Sequence, residues 1–297
     1  MSAVRPTASD ATSGAGLPAA LRLGPVHLVV TDLDRSVQFY EHALGLRTLR
    51  RGGAEAALGT GDRAVLVLHA DTSARPPGRH AGLYHYALLS PTRAELARAG
   101  VRLWAAGTPV QGASDHGTHE AIYLADPDGN GIELAADRPR DLWPAAGFEI
   151  ERGGPAPLDL ADLFSVVRGE DVVAEAAPGL GVGHLHLFVG DVEAGLGFYR
   201  DVIGFDVYVR MDSAAFVSAG GYHHHLGFNV WRGQGIPAAP AGTVGLEHWT
   251  VSLPTASDVA AVRARVDAAG QPVREVEGGF AVRDPWDMEL HVVGSPG

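Results

Sequence analysis

Short runs of apolar residues recur along the chain, each closed by Asp, Gly or Pro. Val26–Val30 and Leu185–Val189 are rich in β-branched and other apolar residues, and each is followed by an Asp and then by an amphipathic stretch. That order predicts a strand, an N-cap and a helix. Asp32 or Asp34 can cap the first helix and Asp191 the second. Phe39/Tyr40 and Phe198/Tyr199 fall on these helices, where aromatic rings are expected to pack against a sheet. Gly45 and Gly204 sit where a left-handed residue would end each helix. Further strands are predicted at Ala64–His69 and Leu226–Trp231.

Two more stretches repeat this plan in weaker form. Leu83–Leu89 leads to a predicted helix at Thr92–Ala99 and strands at His119–Leu124 and Gly131–Ala135. Leu246–Leu253 leads to a helix at Ala256–Ala269 and strands at Gly279–Arg283 and Met288–Val293. The strings DPDGNG (Asp126–Gly131) and DPWD (Asp284–Asp287) carry hairpin turn chemistry. Along Leu246–Leu253 the period is two. His248, Thr250 and Ser252 share one face, while Trp249, Val251 and Leu253 share the other.

The two strong units align without a gap. Gly24, His27, Leu28, Val30, Asp32, Phe39, Tyr40 and Gly45 recur at an offset of 159 residues, Gly24 becoming Gly183. The chain is therefore a duplication, and positions where only one copy gains a chemical group stand out. Pro25 of the first copy is His184 in the second. The expected architecture is α+β, four tandem βαβββ modules forming two domains. Residues 21–137 hold modules one and two, and residues 181–297 hold modules three and four and the active cleft. Residues 138–180, rich in proline and with a short helix predicted near Leu158–Val167, form a linker. Residues 1–20 are expected to be a disordered tail rather than a signal peptide.

Composition narrows the partners. The 35 acidic against 23 basic side chains give a net charge of −12, which argues against nucleic acid or an anionic membrane. No apolar run approaches the roughly 20 residues of a membrane span. The chain has no cysteine, so thiolate metal sites and a Cys nucleophile are excluded, and a cytoplasmic location fits. No G-x-S-x-G elbow occurs, and GLGVG (Gly179–Gly183) precedes a strand instead of following one, the wrong context for a dinucleotide site.

The strings GLYHYALLSP (Gly82–Pro91), SDHGTHEAIYLADPDGNGIEL (Ser114–Leu134), ADRPRDLW (Ala136–Trp143), GHLHLFVGD (Gly183–Asp191) and FVSAGGYHHHLGFNVW (Phe216–Trp231) resemble the vicinal oxygen chelate superfamily. They are closest to its two-domain bacterial catechol-2,3-dioxygenases. The resemblance implies a cleft closed by two modules, with metal ligands on the first and last strands of a module. It implies His184 and His248 as ligands, with a carboxylate on the last strand of module four. Glu289 is the expected third ligand if the DPWD turn is two residues shorter than DPDGNG; in an unshifted register His291 takes the place. His224 is implied as the acid/base residue, with His223 and His225 facing away. His186, matched by His27, is expected to be scaffold or to line the cleft.

In the first half Pro25 cannot ligate. His85 and Glu133 match general ligand positions of the superfamily and, with His27, offer a weaker second metal site; the alternative, which the extradiol resemblance implies, is a vestigial cleft whose polar residues hydrogen-bond one another. Asp115, His116 and His119 are expected on a loop. The function implied is an Fe(II)-dependent extradiol dioxygenase acting on a small aromatic diol with O2, with Mn(II), Zn(II) or Ni(II) as alternative metals. Two other chemistries fit the family: a metal-dependent glyoxalase- or isomerase-type lyase, and a metal-free small-molecule binder of the bleomycin-resistance kind. Pocket size is expected to depend on Trp231, Tyr222, Phe216, Tyr208 and Trp286, and family members assemble into homo-oligomers through sheet edges.

Overall fold

The computed structural model describes residues 16–295. Module one comprises β1 (Val26–Val30), α1 (Leu33–Leu44), β2 (Arg47–Gly52), β3 (Glu55–Thr60) and β4 (Arg63–Ala70). Module two comprises β5 (Gly82–Leu89), α2 (Arg93–Ala105), β6 (Gly112–Asp115), β7 (His119–Ala125) and β8 (Gly131–Asp137). A connector follows, with a short helix α3 at Leu160–Ser165. Module three has β9 (Gly181–Phe188), α4 (Val192–Leu196) running on as a wider π-type turn to Ile203, β10 (Asp206–Arg210), β11 (Ala214–Ser218) and β12 (Leu226–Asn229). Module four has β13 (Gly245–Leu253), α5 (Ala256–Ala268), β14 (Val273–Val276), β15 (Gly279–Arg283) and β16 (Glu289–Gly294).

The helix signals act as expected. The Asp32 and Asp191 carboxylates accept from the backbone N–H groups of Arg35 and Ala194. Gly45 closes α1 at φ 72°, a left-handed conformation that disfavours a side chain. Tyr40 and Tyr199 are fully buried, and each also closes a turn. Tyr40 Oη donates to Asp126 at 2.9 Å and Tyr199 Oη to Asp284 at 2.8 Å. The helix of one module is thereby tied to the last hairpin of the next within each half.

In every module the first strand runs parallel to the last: β1 with β4, β5 with β8, β9 with β12 and β13 with β16. Modules then join through their first strands, and these joints cross the two halves. β9 pairs antiparallel with β5, and β13 pairs antiparallel with β1. One curved sheet thus belongs to modules two and three, the other to modules one and four. Arg22–Leu23 bridges them, pairing with both β9 and β13. Trp249, Val251 and Leu253 are fully buried on the core face of β13.

The connector is packed, not loose. Arg93 of α2 pairs with Glu120 and with Asp162 of α3, and Arg98 pairs with Glu170. The tail expectation divides at its boundary. Residues 1–15 lie outside the described part, but Leu17 and Leu21 are buried and Leu17 N–H donates to Gly204 O at 3.0 Å. The end of that stretch is thus part of the packed structure, because Leu17, together with Leu21 just beyond it, gains more from burial than it loses in freedom.

Candidate metal centre between modules two and three

Strand register assembles the site. Glu133 on β8 lies opposite Ala87 of β5, and Ala87 lies opposite His184 of β9. Residues opposite one another across a ladder share a face. The middle residue of this row carries only a methyl group, which leaves room between the other two side chains. His85, two residues before Ala87, faces the same way. Glu133 Oε2 consequently lies 3.2 Å from His184 Nε2 and 3.1 Å from His85 Nε2. Glu133 is 1% exposed and His184 2%. The His85 contact lacks hydrogen-bond geometry, so His85 Nε2 is a buried nitrogen with no hydrogen-bond partner.

Further imidazoles enclose this set. His119 on β7 donates to Glu133 Oε1 at 3.1 Å. Its ring is stacked between His116 (4.4 Å) and His223 (4.5 Å). His223 Nε2 lies 3.1 Å from Asp137 Oδ1, and its Nδ1 lies 2.8 Å from His224 Nδ1. The ring centres of His224 and His184 are 4.1 Å apart. His116 Nε2 meets Tyr123 Oη at 2.7 Å, while its Nδ1 lies 2.6 Å from Glu149 of the connector.

The electrostatics follow from burial of a few acids among many imidazoles. Burial alone would push the Glu133 carboxyl up. The His184 charge and contacts from His119, His184 and His85 outweigh it and hold the group well below the carboxylate range. Burial drives His224 well below the usual histidine value, and the neighbouring His184, His223 and His119 push in the same direction. His223 falls to about 3, mainly through burial and against the pull of Asp137. Among the described residues, His85, Glu133 and His184 bring their ligand atoms within 4.8 Å of one another, as do three overlapping trios drawn from His116, His119, Glu133, Asp137, His184, His223 and His224. Two imidazoles and a carboxylate, one imidazole nitrogen (His85 Nε2) being buried without a hydrogen-bond partner, suit a divalent cation.

The other cleft, between modules one and four, is built from the equivalent positions. His248 lies opposite His27, and the rings stack at 3.7 Å. His291 stacks on the far side of His248 at 4.0 Å, and His27 Nδ1 lies 2.9 Å from His69 Nε2. Burial, reinforced by the neighbouring imidazoles, brings both His27 and His248 to about 3. Glu289 is held by Arg274, by Arg283 at 2.8 Å and by His291 at 2.8 Å.

The structure therefore regroups the residues singled out in the sequence. His184 is brought together with His85 and Glu133, whereas His248, Glu289, His291 and His27 meet in the opposite cleft. The expected trio of His184, His248 and Glu289 is not assembled, because β9 pairs with β5 and β13 with β1. His27 does not join His85 and Glu133 for the same reason. The DPWD turn is not shortened: Asp126 N–H donates to Asn130 O and Asp284 N–H to Met288 O, the same span in both. Glu133 stands opposite Ala87 and His291 opposite Thr250, each two residues beyond the first-strand histidine. His291, not Glu289, is thus the equivalent of Glu133. His223 turns inward instead of away, and both it and His225 are buried. His225 packs by Tyr222, its Nδ1 accepting from Ala219 N–H at 3.2 Å. His186 lines the cleft, bonded to Asn229 at 2.9 Å. His119 is on a strand, not a loop, and its bond to Glu133 escaped the sequence reading. The alternation of His119, Ala121 and Tyr123 along β7 was the available signal.

Comparison with known proteins agrees with the fold. The sequence profile of the Glyoxalase/Bleomycin resistance protein/Dioxygenase superfamily matches residues 22–134 and 181–292. A catechol-2,3-dioxygenase from Bacillus subtilis (strain 168) is 40% identical over 274 residues, covering 89% of this chain and 93% of the relative. The glutathione transferase FosA of Serratia marcescens is 31% identical over 118 residues, 38% of this chain and 78% of its own. The crystal structure of glyoxalase I from Zea mays superposes with a TM-score of 0.58 at 16% identity, covering 93% of this chain and 92% of that one. Among the described residues no helix is long and apolar enough to cross a membrane.

Proposed function

The chain belongs to the Glyoxalase/Bleomycin resistance protein/Dioxygenase superfamily, and we propose that it is an extradiol dioxygenase that opens the ring of a catechol-type aromatic diol with O2. In this reading His85, His184 and Glu133 hold Fe(II). The observation that carries it is the buried His–His–carboxylate set, whose atoms lie within 4.8 Å and include the orphaned His85 Nε2. When bound, iron supplies Lewis acidity toward both diol oxygens and the redox capacity that O2 chemistry needs.

The remaining steps fall to the chain's own groups. Asp137 accepts from His223 Nε2–H, which leaves His223 Nδ1 as an acceptor for His224 Nδ1–H. This order of bonds leaves His224 Nε2 without a proton. Burial and the surrounding imidazoles favour the neutral ring. His224 thus takes a proton from the diol and later returns it. His119 orients Glu133 through its bond to Oε1. Trp143 lies 5.1 Å from His223, and Glu133, His119 and His184 are buried.

The test is O2 uptake and ring-fission absorbance on a panel of substituted catechols, after anaerobic loading with Fe(II). His85→Ala and His184→Ala abolish both signals, and His248→Ala, in the other cleft, retains them. Failure of every diol, or a His248→Ala loss equal to that of His85→Ala, overturns the reading.

A further inference from the structure

The cleft of modules two and three does not end at His85. His186 and Tyr84 lie 5.1 and 4.8 Å from the His85 ring. Tyr84 in turn meets Phe188 at 4.8 Å and Trp231 at 5.8 Å, and Trp231 meets His186 at 5.3 Å. These rings form a continuous wall leading outward from the metal centre. Tyr84 and Trp231 are 39% and 53% exposed, so the wall opens to solvent. It ends on Arg232, whose guanidinium carbon stands 3.9 Å from the Phe188 ring centre.

Among the described residues Arg232 has no carboxylate partner, unlike the arginines that tie the connector and the opposite cleft together. Arg93, Arg98, Arg138, Arg274 and Arg283 each pair with a carboxylate. Arg232 instead donates to the backbone carbonyl of His80 at 3.2 Å, and no carboxylate among the described residues pairs with it. Its only resolved perturbation is burial, which lowers its pKa. Arg79 adds a second guanidinium to the same segment, donating to Arg232 O at 3.4 Å. A partly desolvated cation without a counter-charge is costly, and an anionic ligand group would offset that cost.

We propose that the wall of Tyr84, His186, Phe188 and Trp231, closed by Arg232, is a subsite for a carboxylate-bearing side chain. The substrate is then an aromatic diol with an acidic substituent. This rests on the dioxygenase reading for the diol end only. The spacing sets the chain length. His186 is level with His85 across the ladder, and Phe188 is one two-residue step further out, about 7 Å. That distance suits a two- or three-carbon chain beyond the ring. Arg232 forms the charge-assisted bond, and the aromatic wall flanks the side chain.

Calorimetry with 3-phenylpropanoate and 3-phenylpropanol tests the subsite without turnover or metal, because neither compound has a diol. The acid binds wild type at least about tenfold more tightly than the alcohol, and Arg232→Met brings the two within about twofold. Arg232→Gln, which keeps a donor for His80 O while removing the charge, does the same and guards against misfolding of the first variant. In the loaded enzyme, kcat/KM for 3-(2,3-dihydroxyphenyl)propanoate exceeds that of its methyl ester, and both variants erase the ratio. Equal binding of acid and alcohol, or a preference that survives both substitutions, overturns the subsite. Ring fission without that preference sinks the subsite and leaves the dioxygenase reading standing; binding preference without fission of any diol does the reverse.

Discussion

Replacing His119 with Phe isolates the hydrogen bond that orients Glu133. The ring of His119 is stacked between His116 and His223 at 4.4 and 4.5 Å, with interplanar angles of 6° and 14°. A phenyl ring can occupy that slot and keep the stack. What disappears is the bond from Nε2–H to Glu133 Oε1 at 3.1 Å, in a place where the acceptor is 1% exposed. A hydrogen bond to a buried charged group contributes about 1.5–3 kcal/mol, or about 10–150-fold in a binding constant. Loss of an outer partner of a metal ligand costs about 10–100-fold in other sites, and the two estimates agree. Chelator competition with Mn(II) or Fe(II) measures the affinity, and a melt of the metal-free protein separates general destabilisation. The control is His291→Phe, which removes the contact of His291 with Glu289 in the other cleft and should leave affinity within about twofold. An affinity within threefold of wild type for His119→Phe, or an equal fall for His291→Phe, refutes the placement of the metal centre.

Three further outcomes are expected. Burial raises the Asp284 carboxyl from 3.8 to about 6, against the opposing bond from Tyr199. The folded state therefore binds the extra proton between about pH 4 and 6, and stability falls as pH rises through that window, by up to roughly 3 kcal/mol. Urea titrations across the window show this slope in wild type and not in Asp284→Asn. Gly131→Ala puts a Cβ 2.1 Å from Tyr84 O. β5 and β8 must then separate, so we expect a stability loss of about 1–3 kcal/mol by overpacking together with weakened metal binding, both read from melts with and without metal. Chelation lowers the Tm of the loaded protein, by the equivalent of about 2.7 kcal/mol when free metal had stood at 100 times its Kd, and leaves metal-free protein unchanged.

The modules were legible because their signals are local. Asp32, Thr92, Asp191 and Thr255 each cap a helix by a bond three residues ahead, and alternation along β13 correctly separated Trp249, Val251 and Leu253 from His248. Alternation tells which face a histidine occupies but not which strand lies beside it. Both His184 and His248 carry the marks of a cleft residue, and only the pairing of β9 with β5 and β13 with β1 assigns them to different clefts. That pairing depends on how the connector lets module three return to module two, and no short-range pattern encodes it. The duplication also shows how the two clefts differ in donor chemistry. The ladder positions filled by His85, Glu133 and His184 in one cleft are filled by His248, His291 and Pro25 in the other. The second set has no carboxylate and one residue that cannot ligate, and its imidazoles stack on one another instead of converging. His85 and Glu133 come from the first half of the chain and His184 from the second. Neither half holds all three residues proposed as ligands, so the joint between halves that holds the fold together also brings them into one cluster.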